Sequence, residues 1–250
     1  MKILSFNVNG IRAAYQKGFL NWLTASRADI VCTQEIKAQE AQVPTVLLNP
    51  AHYYSYFNFA AKKGYSGVGI YTKQKPLRVH HTLDFKRFDQ EGRIIKLDYP
   101  GFCLINIYIP HGGRGKENIG YKLETYKRLF LFLKGIKQKL VLMGDFNVAH
   151  HEIDLARPQN NKNNIMFTKQ ERKQIDKLLE LGFIDSFRQQ NKDSGHYTWW
   201  PYGFQARQRN IGWRIDYAFI SKNMAPKLRK AFILNKVNIS DHCPIGIEIV

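Results

Sequence analysis

Asp145 and Asn147 stand two residues apart at the end of an apolar run, Leu140-Val141-Leu142-Met143-Gly144-Asp145-Phe146-Asn147. A run of this kind reads as a strand buried in a sheet. Its alternating side chains put the carboxylate and the amide on one side. The two can then share one ligand, the carboxylate accepting a proton while the amide holds the nucleophile or its target. A second pair, the acid and imidazole of Ser240-Asp241-His242, lies near the C-terminus. Together the pairs supply what metal-assisted phosphoester hydrolysis needs. Taken alone, the first pair also fits a strand end whose Asp and Asn form a turn.

The other strand ends weigh against that plainer reading. Asn7-Val8-Asn9-Gly10 closes the first strand, Gln34-Glu35-Ile36-Lys37 the second, and Tyr108-Ile109-Pro110-His111-Gly112 the strand from Phe102. Arg214-Ile215-Asp216-Tyr217 opens another strand, and Ser240-Asp241-His242 precedes the last. Each has a structural alternative: Asn7 and Asn9 as turn residues, Glu35 as a helix cap, His242 as a packed histidine, Asp216 as a partner for an arginine. As a set they are hard to explain as turns. Polar groups gathered at strand ends are how α/β proteins build sites outside the sheet edge.

The elements that must position these residues recur along the whole chain. Strand-like runs cover 2–8, 30–34, 53–59, 67–72, 78–83, 93–99, 102–109, 140–146, 214–220, 229–234 and 244–250. Helical spacing covers 12–25, 39–48 and 119–137, and the capping-box spacing of Thr168 and Glu171 opens a further helix that Gly182 closes. Segment 155–167, rich in Asn, reads as an ordered loop near the site. So many strands exceed one sheet. The expectation is an α/β fold of two packed, mostly antiparallel β-sheets flanked by helices, in a single domain over residues 1–250.

At 250 residues the chain can bury a sizeable core, and its 44% hydrophobic content is that of a globular protein. It holds no apolar stretch long enough for a transmembrane helix. Cys32, Cys103 and Cys243 sit in or beside apolar runs and read as reduced, buried residues of a cytoplasmic protein. The 38 lysines and arginines against 20 acidic residues give a net charge of +18, scattered rather than gathered in a tail. Such a surface suits a polyanion such as nucleic acid.

The ordered series Asn7-Val8-Asn9-Gly10, Gln34-Glu35-Ile36-Lys37, Gly92-Arg93-Ile94, Tyr108-Ile109-Pro110, Gly144-Asp145-Phe146-Asn147-Val148-Ala149, Gly212-Trp213-Arg214-Ile215-Asp216-Tyr217 and Ser240-Asp241-His242-Cys243-Pro244 resembles the exonuclease III family of apurinic/apyrimidinic endonucleases. The resemblance implies a four-layer α/β sandwich. It also implies Mg²⁺-dependent cleavage of double-stranded DNA 5′ to abasic sites, with 3′→5′ exonuclease and 3′-end-trimming activity, Mn²⁺ being a possible substitute ion. On this reading Glu35 is the direct metal ligand, with Asn7, Asp241, Asp145 and Asn147 around the ion. Asp145 is the general base or water-orienting group, held by Asn147. His242, paired to Asp216, faces the scissile phosphate, and the phenol of Tyr108 stabilises the pentacovalent state.

The segment Tyr197-Thr198-Trp199-Trp200, with Trp213 and Ile215, fits a pocket for a sugar that lacks its base. Asn9, Lys37 and Arg114 are expected on the substrate side. The chain departs from the family pattern at Asn9, where many members carry Asp, at His111, where an amide is usual, and at Gly203, where some relatives place a bulky wedge. No long N-terminal extension precedes the first strand, so a monomeric cytoplasmic prokaryotic enzyme is expected. Two rivals are a small-molecule or lipid phosphoesterase of the wider endonuclease/exonuclease/phosphatase superfamily and a DNA-binding protein without catalysis. The latter would be expected to lack one of Glu35, Asp145, Asn147, Asp216 or His242.

Overall fold

Strands buried on both faces read as unbroken apolar runs, and several strands of this chain are of that kind in the computed structural model, which describes residues 1–250. The strands are β1 (Lys2–Asn7), β2 (Ile30–Gln34), β3 (Tyr54–Asn58), β4 (Val68–Thr72), β5 (Arg78–His80), β6 (Ile94–Tyr99), β7 (Phe102–Tyr108), β8 (Leu140–Asp145), β9 (Phe183–Asp185), β10 (Asp216–Ser221), β11 (Leu228–Ile233) and β12 (Ile245–Ile249). They form two six-stranded sheets, in the orders β11-β12-β1-β2-β4-β3 and β5-β6-β7-β8-β10-β9. Only the central pairs, β1 with β2 and β7 with β8, are parallel. Helices α1 (Ile11–Gln16) and α2 (Phe19–Ser26) make the first crossover, and α5 (Ile119–Lys134) makes the second. The remaining α-helices are α3 (Thr45–Leu48), α4 (Lys86–Gln90), α6 (Lys169–Glu180) and α7 (Ser186–Gln190).

The sheets pack face to face through Ile3, Ile30 and Val68 of the first and Leu97, Leu104 and Val141 of the second. The alternate residues point outward. Leu4, Phe6 and Val31 meet Phe19 and Leu23 of α2. Ile105 and Leu142 meet Tyr126 and Leu129 of α5 and Ile175 and Leu178 of α6. The result is the expected helix, sheet, sheet, helix sandwich. A polar contact locks the two sheets together: Gln34 Nε2 donates to Ser5 Oγ (3.0 Å) and to Asn106 Oδ1 (2.6 Å), while Asn106 Nδ2 donates to the carbonyls of Thr33 and Gly69. No helix is long and apolar enough to cross a membrane.

The differences from the sequence reading are local. The expected helix over 12–25 breaks at Gly18, which adopts φ 90° between α1 and α2. The expected helix over 39–48 becomes a 3₁₀ turn, Glu40–Gln42, and α3, because Pro44 has no N–H to continue the first. The strand over 78–83 shortens to β5, and β10 starts at Asp216 rather than Arg214, whose N–H donates to the Asp154 carbonyl instead of the ladder. The three-residue β9 and the five-residue α4 and α7 are too short to show a period.

Candidate active site

Two parallel registers and one antiparallel register bring these residues to one edge. Asn7 lies beside Gln34 across β1 and β2, Tyr108 beside Asp145 across β7 and β8, and Asp216 opposite Asp145 across β10. Beyond their strands the chain turns sharply, with left-handed φ at Asn9, Glu35, Lys37 and Asn147. Gly144 makes the close approach at the site possible: at φ 144° a Cβ there would lie 1.9 Å from the Ile107 carbonyl oxygen.

Asn7, fully buried, joins the two halves. Its Nδ2 donates to Glu35 Oε1 (2.8 Å) and Asp145 Oδ2 (2.9 Å), and its Oδ1 accepts from the Asn9 N–H. Asn147 holds Asp145 from the other side, its N–H donating to Asp145 Oδ1 at 2.8 Å while its Nδ2 donates to the Ile109 carbonyl. Asp216 Oδ2 accepts from Thr198 Oγ1 (2.6 Å) and lies 2.9 Å from His242 Nδ1. That contact turns His242 Nε2 toward Asp145, 4.0 Å from its Oδ2. Tyr108 stands alongside under the Arg93 guanidinium, which lies 4.5 Å from its ring.

Electrostatics separates the roles of these groups. Burial is the largest influence on Asp145 and pushes its carboxyl well up, helped by Asp216 and Glu35 and opposed by His242. Burial disfavours charge on Glu35, yet Lys37 and His242 outweigh it and hold that carboxyl below its ordinary value. Burial also works against the His242 cation, but Asp216 overrides it, with help from Asp241 and Asp145, and holds the imidazole up at about 10. Burial and the nearby Glu35 push the Tyr108 phenol well up, so it remains a proton donor. One edge therefore carries an ionised carboxylate, a carboxyl able to hold a proton, an imidazolium and a neutral phenol.

Because the His242 value is raised in the folded chain from an ordinary 6.5, its stabilising contribution is complete below about pH 6.5 and disappears as pH rises through about 10. Melting temperature followed from pH 7 to 10 should fall more steeply in the parent than in His242→Asn. Parallel curves would refute the assignment of the charge.

Glu35, Asp145 and His242 present possible ligand atoms all within 4.8 Å of one another. The two carboxylates suit a hard divalent cation, whereas an imidazolium has no lone pair to offer. The donor set fits one such ion between Glu35 and Asp145. Lys37 Nζ pairs with Glu35 and donates to Asn9 Oδ1, and Asn9 Nδ2 donates to Asp241 Oδ1 at 2.9 Å. Asp241 Oδ2 in turn accepts from Trp199 Nε1 at 3.0 Å. Both Asp241 oxygens are thus engaged, and Asp241 stands outside the Glu35–Asp145–His242 group. Asn7 likewise presents its amide N–H to the carboxylates rather than its oxygen.

Beside this centre opens a cleft lined by His111, Arg114, Met166, Trp199, Tyr202 and Trp213, among others. Trp199 and Trp213 are paired through their backbones, and Trp213 packs edge-on to Phe167. Ile215 is buried behind them in the same cluster. Tyr197 and Trp200 turn away into a separate cluster with Ala206 and Cys243. Gly203 lies on an exposed loop next to Phe204, whose side chain is 92% exposed. The three cysteines are free and buried, and burial pushes Cys103 up to about 11, which suits packing rather than reactivity.

Sequence reasoning missed Thr198 and Arg93 as parts of the site, although both lie in segments it singled out. It also missed the partners of Arg214. This buried guanidinium donates to Asp154 Oδ1 and Asp185 Oδ2, both at 2.7 Å, and so fixes the segment that carries Asp216. The acids come from distant segments, Asp185 from the end of β9 and Asp154 from a 3₁₀ turn, and no spacing along the chain signals them.

A match to the Endonuclease/Exonuclease/phosphatase family spans residues 4–242. The chain belongs to that family. It is 44% identical to an exodeoxyribonuclease of Bacillus subtilis (strain 168), covering 100% of this chain and 99% of the relative. A solved AP endonuclease from Archaeoglobus fulgidus superposes with a TM-score of 0.91 at 31% identity, over 100% of this chain and 99% of that one. A 3′ phosphatase from Neisseria, solved bound to a product DNA hairpin, gives a TM-score of 0.92 at 29% identity over the same shares.

Proposed function

We infer that this chain is a DNA-repair nuclease that hydrolyses the phosphodiester 5′ to abasic sites in double-stranded DNA. The same centre serves 3′→5′ exonuclease and 3′-end trimming. The observation that carries this reading is the Asp216–His242–Asp145 series beside Glu35, next to a tryptophan-walled cleft. The exodeoxyribonuclease, AP endonuclease and 3′ phosphatase relatives differ in the DNA end or lesion their names describe, and all three names describe phosphoester hydrolysis. The net charge of +18 suits a DNA duplex better than a phosphorylated small molecule or lipid.

A Mg²⁺ ion, for which Mn²⁺ can substitute, would be held by Glu35 and Asp145, which Asn7 and Asn147 orient by hydrogen bonds while Asp241 acts through Asn9 and Trp199; bound there, it would supply Lewis-acid neutralisation of phosphate charge. The chain's own residues do the rest. Asp145, held by the Asn147 N–H, orients the attacking water and takes its proton. His242, fixed by Asp216, directs its Nε2–H toward the charge that develops on the phosphorane. Tyr108 offers a hydrogen bond from its phenolic O–H to a non-bridging phosphate oxygen, and the P–O3′ bond breaks to leave a 3′-hydroxyl that takes its proton from water. Lys37, Asn9 and Arg114 bind the flanking backbone, and Trp199 and Trp213, with Ile215 behind, close round a flipped sugar.

We further propose that the chain acts as one domain over residues 1–250, as a monomer, in the cytoplasm of a prokaryote. The whole-length likeness to a bacterial enzyme supports the single domain and the prokaryotic source.

The test is cleavage of a labelled duplex bearing one tetrahydrofuran abasic analogue, beside an intact duplex with a recessed 3′ end, in Mg²⁺ and in EDTA. A single metal-dependent incision 5′ to the analogue is expected, with slower laddering of the intact duplex. No cleavage of either, with DNA still bound, would sink the proposal. Trp199→Ala is expected to lower kcat/KM on the abasic duplex about tenfold, the scale of an aromatic contact worth about 1–2 kcal/mol. The 3′-trimming rate should change less, and equal losses on both substrates would argue against a sugar pocket at Trp199.

A further inference from the structure

Lys122 of α5 and Glu171 of α6 form an ion pair at 2.5 Å in which both side chains are 0% exposed. Such a pair is expensive. Removing two charges from water carries a large desolvation cost before their attraction returns part of it. Glu171 alone accounts for the start of α6, since its Oε2 accepts from the Thr168 N–H and hydroxyl in a capping box. Lys122 adds nothing to that cap, so its burial needs another explanation.

The other bonds of the pair supply one. Besides Glu171, the ammonium donates to the carbonyl oxygens of Asn147 (2.7 Å) and His111 (3.1 Å), which uses all three of its protons. Glu171 Oε1 also accepts from the Met166 N–H at 3.0 Å. One buried pair thus ties together the turn after β7, the turn after β8 and the segment before α6. Two of these turns bring His111 and Met166 to the cleft, and the third brings Asn147 to the reaction centre. Asn147 is held there at φ 51°, and its N–H fixes Asp145. The approach is close: at Gly112, with φ 97°, a Cβ would sit 2.8 Å from Ile165 Cδ1 and 3.4 Å from Lys122 Cδ.

We propose that the Lys122–Glu171 pair is a positioning element of the nuclease centre, setting the backbone of Asn147 and His111 and, through Asn147, the orientation of Asp145. This rests on the reading of Asp145 and Asn147 as the reaction centre. Both side chains are fully buried, out of reach of a bound polyanion, so the pair acts on the rate of the chemical step rather than on binding.

The double variant Lys122→Met/Glu171→Gln removes both charges while Gln retains an acceptor for the Thr168 cap. Single-turnover incision of the tetrahydrofuran duplex and its Kd are measured at a temperature where circular dichroism shows every variant folded. The expected result is a rate loss of about 10²-fold, the scale of a displacement of about 1 Å at a reacting group, with Kd changed less than about threefold. Thr168→Val weakens the same helix cap without touching Lys122, and is expected to lower the melting temperature with the rate unchanged. A folded double variant that cleaves at the parental rate, or a Thr168→Val variant with an equal rate loss, would overturn the proposal. Asp145→Ala, run alongside, separates the two readings. Parental activity there would sink the assignment of the centre itself. An inactive Asp145→Ala beside a fully active double variant would sink only the role of the pair.

Discussion

Replacing His242 by Asn is expected to lower single-turnover incision about 10³-fold, the loss typical of removing one donor from a site where charge develops. Two effects act together. The imidazolium that Asp216 holds beside Asp145 disappears, and with it the only cation whose ring nitrogen is aimed at the space above that carboxyl. Asp216 then keeps Thr198 Oγ1 as a partner for Oδ2, while its Oδ1 is already buried without a hydrogen bond. Leaving that carboxylate uncompensated is costly, and part of the effect will appear as lowered stability. Asn is the informative replacement because its amide can still donate to Asp216. DNA affinity, read by fluorescence anisotropy, should stay within a few-fold, since the net charge of the surface is almost unchanged. Near-parental turnover would overturn the role given to His242.

Asp145→Ala is expected to lower turnover by about 10²–10⁴-fold, the range for loss of a positioned general base. The geometry argues for the upper part of that range. Asp145 is where Asn7 Nδ2, the Asn147 N–H and His242 converge, so its removal takes away the base and one of the two carboxylates of the cation site. The parent's rate should also rise with pH on the acid side, because burial and the neighbouring Asp216 hold the proton on Asp145 more tightly than on an ordinary carboxyl. A bound cation works against that shift. The acid limb should therefore move down as Mg²⁺ is raised, and be absent in Asp145→Ala. An acid limb that survives in the variant would assign the base to another group. An unchanged turnover would remove Asp145 from the mechanism.

Much of the architecture was legible in the chain itself, for a local reason. Strands of a doubly covered sheet are buried along almost their whole length and mostly apolar, so β1, β2, β4 and β8 announce themselves without a partner. Polar residues that interrupt such runs at their ends stand out against them, which is why Asn7, Glu35, Asp145 and His242 could be named together. The capping box of α6 is equally local, and the structure forms it as expected. The elements that escaped are short: β9, α4 and α7 are formed by contacts with their neighbours rather than by their own periodicity.

What the sequence by itself determined is the identity of the polar groups and the strands that end in them. Which atoms meet was decided only by tertiary structure, because a hydrogen bond between residues far apart in the chain leaves no trace in spacing. Asn7 faces the carboxylates through its N–H rather than its oxygen because Oδ1 is taken by the backbone of Asn9. Asp241 is tied into a chain with Asn9 and Trp199 instead of joining Glu35 and Asp145. Trp199 and Trp200 are adjacent in sequence yet part company, one lining the cleft and the other packing against Cys243, since neighbouring side chains of an extended segment point to opposite faces. Lys122 and Glu171, on two different helices, meet only because α5 and α6 pack side by side against the same sheet. The burial that this packing imposes also holds the proton on Asp145, whereas Asp216 holds that of His242 against the same burial.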